Sequence, residues 1–194
     1  MATPVKKNFK VYQGSTFNEI LRWESSTKVY KNITTITKAA PMVVTAVAHG
    51  LVAGWRCTVS NAGGMKEVNS LGYIQATAVT TDTITFNAIN AAGFTAYTSG
   101  GILEYNQPES LASYTARMQI RAKVSSTDVL LELTTLNGRI VIDDATKIIT
   151  INIPATTTET FTFKSAVYSL ELISGATVLP LIYGSLTLDT EITR

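Results

Sequence analysis

Apolar and polar residues alternate with a period of two along most of this chain, and a 3.6-residue period is nearly absent. Alternation sends successive side chains to opposite faces, so each such run predicts a half-buried strand. In Tyr114-Thr115-Ala116-Arg117-Met118-Gln119-Ile120-Arg121 the even positions are apolar. Tyr114, Ala116, Met118 and Ile120 therefore share one face, and Arg117 and Arg121 the other. Residues 149–153 repeat the pattern until Pro154 stops it, and residues 161–164, 168–172 and 186–189 follow suit. At the front, residues 9–11 and 17–23 read as strands around a Gln13-Gly14-Ser15 turn. Asn137-Gly138 marks a turn between strands at 130–136 and 139–142, Asp143-Asp144 a second, and Ser174-Gly175 a third. Only residues 155–160, after Pro154, read as helical, and a run of threonine limits that helix to one turn.

The style of the sequence changes at residue 34 and changes back near residue 106. Between these points the chain is rich in small residues and punctuated by His49-Gly50, Gly63-Gly64 and Gly100-Gly101. Short strands are expected there at 42–46, 56–59, 73–79, 83–87 and 102–105, forming a small barrel or half-barrel. The expected organisation is a discontinuous β-sandwich of residues 1–33 plus 107–194, interrupted by an inserted small β domain at 34–106. An insertion that leaves its host intact enters and leaves through a surface loop with its ends close together. The outer unit carries seven or eight strands, with Trp23, Tyr114, Met118, Ile120, Leu131, Leu133, Ile151, Phe161, Phe163, Leu170 and Leu172 as its expected core.

Composition narrows the function classes. The chain has 194 residues, 45% of them hydrophobic and 15% charged, with a net charge of +2. That is ample apolar material for a core, and the chain is too apolar, and its apolar residues too evenly spread, for a disordered one. Lys6-Lys7 is the nearest approach to a basic block, so no nucleic-acid partner is expected. Arg117, Arg121 and Lys123 read as one solvated strand face. No apolar run is long enough for a membrane span, and residues 1–10 show no secretory leader. The lone cysteine, Cys57, reads as a small core residue with no intrachain disulfide.

Catalysis needs positioned acid, base or nucleophile groups. The chain has one histidine, His49, beside Gly50 in a turn, where a structural role is expected. No zinc spacing, phosphate loop or nucleophile elbow occurs, and Asp143-Asp144 lacks the pattern of a calcium loop. No catalytic residue, cofactor or metal is expected. Tyr12, Tyr30, Tyr73, Tyr97 and Tyr105 are candidates for a carbohydrate-stacking platform, although scattered tyrosines at strand ends more often cap a core edge.

Several stretches carry a resemblance. Phe9-Lys10-Val11-Tyr12-Gln13-Gly14-Ser15-Thr16-Phe17, Tyr114 to Arg121, Leu131-Glu132-Leu133-Thr134-Thr135, Tyr168-Ser169-Leu170-Glu171-Leu172 and Gly184-Ser185-Leu186-Thr187-Leu188, with the terminal Glu191-Ile192-Thr193-Arg194, make the outer unit similar to the immunoglobulin-like N-terminal domain of siphophage baseplate upper proteins. The insert resembles the small FCCH-like β module found in phage tail proteins, through Val47-Ala48-His49-Gly50-Leu51, Gly54, Gly63-Gly64-Met65, Glu67-Val68-Asn69, Phe86 and Tyr97-Thr98-Ser99-Gly100-Gly101. In compact relatives of the outer domain no insert separates the second strand from the Tyr-Thr-Ala-Arg strand. The resemblance implies a structural virion protein of a bacteriophage tail or baseplate, made in the bacterial cytoplasm. Its partners would be other virion proteins, including copies of itself in a symmetric assembly, and it would hold receptor-binding proteins in place. A glycan- or receptor-binding adhesin and a capsid decoration or head–tail joining protein are the alternatives. Contact residues are expected within residues 1–7, at Lys6 and Lys7, and at Gly63, Gly64, Met65, Lys66, Glu67 and Tyr97.

Overall fold

The computed structural model describes residues 3–192, and the chain is all-β apart from two single-turn helices. Residues 1–2, at the start of the expected contact stretch, and Thr193 and Arg194, at the end of the resemblance, lie outside the described residues. The chain divides into two compact units, one of residues 1–22 plus 110–194 and one of residues 23–109.

The first unit opens with β1 (Val5–Lys6), β2 (Phe9–Tyr12) and β3 (Phe17–Leu21). The strand expected at 17–23 stops at Leu21, and Trp23 is half-buried at the start of the second unit.

The second unit contains β4 (Glu24–Asn32), β5 (Thr35–Ile36), β6 (Met42–Thr45), β7 (Arg56–Gly63), β8 (Ile74–Gln75), β9 (Ala78–Val79), β10 (Thr83–Phe86) and β11 (Ser99–Pro108). They form two four-stranded sheets, ordered β5-β6-β10-β9 and β4-β11-β7-β8. The sequence reading counts five strands here and begins the unit at residue 34. The structural division lies further out because β4 pairs antiparallel along β11, from Ile102↔Asn32 through Asn106↔Lys28 to Pro108↔Glu24. The Glu109 N–H then donates to the Trp23 carbonyl at 3.0 Å. Met42, Val44, Trp55, Cys57, Met65, Ile84, Phe86 and Leu103 fill the core of this unit with no exposed surface.

The chain returns to the first unit through β12 (Thr115–Arg121), β13 (Leu131–Thr134), β14 (Ile140–Asp143), β15 (Ile148–Ile153), α1 (Ala155–Thr158), β16 (Ser165–Ser174) and β17 (Thr177–Asp189). One sheet runs β1-β17-β16-β12-β13, with β2 also on β17, and the other runs β14-β15-β3. Ala116, Met118, Ile120, Leu133, Leu170, Leu172 and Leu186 are buried from the first sheet, and Ile140, Ile149, Ile151 and Ile153 from the second. The Phe9 and Phe17 rings meet edge to face at 5.2 Å, joining β2 to β3 between the sheets. The result is a sandwich whose core is made by the alternating inward positions. Tyr114, Leu131 and Phe163, expected in that core, are half-buried. Residues 161–164 alternate in sequence but form no strand. They follow α1 as a connection, with the Phe161 ring 4.9 Å from that of Phe163.

The N-terminal strands both run parallel to β17, pairing Val5↔Ile182 and Lys6↔Tyr183 first and Phe9↔Leu186 onward afterwards. Between them the backbone passes close over Gly184, where an added Cβ would lie 2.0 Å from the Lys7 carbonyl oxygen. Side chains complete the interrupted ladder. The Ser185 N–H donates to Asn8 Oδ1 at 3.1 Å, and the Tyr168 hydroxyl donates to the Lys7 carbonyl at 2.6 Å. Tyr168 stacks on Phe9 at 4.8 Å, and burial raises its hydroxyl pKa above the ordinary value.

Candidate groove on the six-stranded sheet

Pairing register brings together side chains that are far apart in the sequence. Across the outward face of the larger sheet, Lys6 lies opposite Tyr183, Tyr183 opposite Ser169, and Ser169 opposite Gln119. One step along, Ser185, Val167 and Arg121 form a second row. The loop between β12 and β13 borders these rows and brings Val124, 89% exposed, to the groove. The loop is tied to the sheet by Arg121, whose Nη1 donates to the carbonyls of Ser126 at 2.6 Å and Thr127 at 3.1 Å. The result is an open groove of about 600 Å³. Gly184, Asn8 and Tyr168 also border it.

The lining is cationic, apolar and hydroxylic. Lys6 and Arg121 supply its charges, and no carboxylate, imidazole or thiol lines it. The Gln119 amide is occupied, accepting from Arg121 Nη2 at 2.7 Å and donating to Glu132 Oε1 at 2.7 Å. The groove can therefore hold a ligand by charge and apolar contact, in a volume usual for ligand sites.

The residues expected at contacts fall in different settings. Lys6 lies in the groove. Lys7 does not. Its ammonium pairs with Glu19 at 2.5 Å and lies 5.7 Å from the centre of the Phe9 ring. In the second unit, Gly63, Gly64, Met65, Lys66, Glu67 and Tyr97 do come together, packed at the end of β7, in the short 3-10 helix Lys66–Ser70 and in the loop before β11. The Thr98 N–H donates to the Gly63 carbonyl at 3.0 Å, and a Cβ on Gly64 would lie 2.1 Å from the Ala96 carbonyl oxygen. Glu67 Oε1 accepts the Thr95 N–H at 2.8 Å and its hydroxyl at 2.9 Å. Backbone N–H groups of Glu67 and Thr95 hold this carboxyl below its ordinary pKa. The Tyr97 hydroxyl lies 2.8 Å from the Gly100 carbonyl oxygen and 3.3 Å from that of Ile33. Met65 is fully buried, because this turn feeds its side chain into the core, so it presents no contact surface. Lys66 alone of the six is exposed.

The groups weighed for chemistry are engaged in the fold. His49 is buried; its Nδ1 accepts the Leu51 N–H at 2.9 Å, which leaves Nε2 to donate to the Thr83 carbonyl at 3.3 Å. Asp143 accepts from the Ala145 N–H and the Thr146 hydroxyl, and Asp144 accepts from the Leu111 N–H and pairs with Lys147. No group of three or more potential metal ligands occurs among the described residues. Burial pushes the Cys57 thiol up to about 12. Among the described residues no helix is long and apolar enough to cross a membrane.

Sequence reasoning missed Arg121, Tyr183, Gln119 and Val124 as a group. Arg121 was legible only as one more outward residue, and the parallel pairing that sets Lys6 beside Tyr183 leaves no local signature. No family model and no curated protein matches this sequence.

Proposed function

We propose that this protein is a structural component of a multi-protein particle, of the kind its sequence resembles: a bacteriophage tail or baseplate. On this reading the first unit is an immunoglobulin-like sandwich, and residues 23–109 are an FCCH-like contact module. The protein works through rigid display of surface to virion neighbours, including further copies of itself, and holds receptor-binding proteins in place. Symmetry multiplies individually weak contacts in such an assembly. The observation that carries the proposal is the open groove on the larger sheet, with its two cations and apolar rim. Terminal strand β14 adds backbone available for pairing with a neighbour's strand. The proposal assigns the protein no reaction.

The adhesin reading is weaker, because sugar recognition draws on free amide and carboxylate groups and stacked aromatics. Here the groove's one glutamine is occupied, and Tyr183 is its only well-exposed aromatic. A capsid decoration or head–tail joining protein would use the same contact surfaces at a different place. The test is a reconstruction of the purified particle with this chain fitted into it. Symmetric copies at the tail or baseplate support the proposal, and copies confined to the head or absent from the particle refute it.

A further inference from the structure

We infer that the groove on the six-stranded sheet receives an extended acidic segment of a neighbouring protein, with one carboxylate on Lys6 and a second on Arg121. The inference rests on reading the protein as an assembly subunit.

Charge is the first argument. Lys6 and Arg121 line the groove with no acidic residue among the lining. Of the nearby carboxylates, Glu171 pairs with Arg117 at 3.0 Å, and Glu132, held by the neutral Gln119 amide, stays outside the lining. Asp128, in the loop beside the groove, is not part of its lining. Arg121 is held in place by three hydrogen bonds, all to neutral oxygens. A guanidinium carries five N–H donors, so two remain for a ligand. A cation fixed by neutral acceptors keeps its full charge for an incoming anion and has already given up its rotamer freedom.

Spacing is the second argument. Lys6 sits on β1 and Arg121 on β12, three strand steps apart through β17 and β16. At about 4.8 Å per step this is about 14 Å across the strands, and Arg121 lies two residues beyond Gln119, about 7 Å along β12, so the backbone separation is about 16 Å. An extended peptide rises about 3.3 Å per residue, so two side chains four residues apart lie about 13 Å apart on the same face, and the length of the lysine and arginine side chains covers the remaining distance of about 3 Å. The residue midway between them points to that face too, over Tyr183, Ser169 and Val167, where an aliphatic side chain finds apolar contact. The recognised pattern is therefore acidic, any, apolar, any, acidic, laid across the strands. A single phosphate or a lone carboxylate would satisfy only one end.

The test uses the full chain and a fluorescently labelled peptide with glutamate at its first and fifth positions and leucine at the third. Controls are the same composition with adjacent glutamates, and the spaced peptide with lysine in place of glutamate. Anisotropy is followed at low and at physiological ionic strength. The spaced acidic peptide binds saturably, more weakly in higher salt, and about tenfold more tightly than either control. Lys6→Glu, an exposed change monitored by an unaltered melting curve, weakens it by about tenfold, and Lys6→Arg retains it. Equal binding of the two acidic peptides, full competition by millimolar phosphate, indifference to Lys6→Glu, or binding of a sialylated glycan in place of the peptide each overturns the inference. Particle reconstruction is scored separately, so a chain located in the particle with no peptide binding refutes the groove's ligand and leaves the assembly role standing.

Discussion

Replacing Gly184 by alanine tests whether the double use of β17 depends on one missing side chain. An added Cβ would lie 2.0 Å from the Lys7 carbonyl oxygen, 2.8 Å from the Lys7 carbonyl carbon and 3.0 Å from Asn8 Oδ1. Two of these three atoms are backbone and have no rotamer to escape into. Relief requires the segment between β1 and β2 to move off β17 by about 1 Å, since contacts under 3.0 Å are essentially never tolerated. That movement threatens three hydrogen bonds: Lys7 N–H to the Tyr183 carbonyl at 2.8 Å, Ser185 N–H to Asn8 Oδ1 at 3.1 Å, and Tyr168 hydroxyl to the Lys7 carbonyl at 2.6 Å. At about 1 kcal/mol each, with water recovering part of the loss at an exposed edge, the expected destabilisation is about 2 kcal/mol. Urea unfolding measures it, and hydrogen exchange at the Lys7 and Ser185 amides locates it. A loss under about 0.5 kcal/mol with both amides still protected would refute the reasoning.

Gly93→Ala supplies the opposite sign: nothing lies within 4 Å of the added Cβ and φ is not in the left-handed region, so stability holds or rises by about 0.5 kcal/mol in the same urea assay. Leu133→Ala empties a fully buried position of the sandwich and should cost about 2–5 kcal/mol by urea unfolding, while Leu133→Asp should leave the unit unfolded by circular dichroism. Tyr97→Phe removes the hydroxyl that reaches the Ile33 and Gly100 carbonyls and should lower stability by about 1 kcal/mol, read from a shift in the urea midpoint. Cys57 should resist thiol reagents at pH 8 when folded and react once the chain is unfolded in urea. Its folded pKa of about 12 stands above the ordinary 9.0, so its contribution to stability is complete below about pH 9 and lost as pH rises toward 12. Comparing wild type with Cys57→Ala across that range isolates the effect.

The strands that were legible in sequence are those with one wet and one dry face. Residues 114–121 alternate cleanly because Ala116, Met118 and Ile120 are buried while Arg117 stays in solvent. β4 was not legible. Its sequence, ESSTKVYKN, is exposed or half-exposed throughout, and it is a strand because β11 supplies its partner. The pattern at 161–164 misled for the converse reason: alternation without a pairing partner makes no strand. The same limit hid the groove. Lys6, Gln119, Arg121 and Tyr183 are each ordinary outward residues, and what unites them is a parallel register between the two ends of the chain. Of Gly63-Gly64, only Gly64 takes a positive φ, of 76°, and it does so where a Cβ would lie 2.1 Å from the Ala96 carbonyl oxygen, while Gly63 ends β7.

The hydrogen bond from the Glu109 amide to the Trp23 carbonyl sets the two ends of residues 23–109 side by side. A body whose entry and exit adjoin can be spliced into a hairpin of an unrelated carrier, or sealed head to tail into a ring, without stretching its backbone. Residues 23–109 thus meet the geometric condition for grafting at a single turn of another protein.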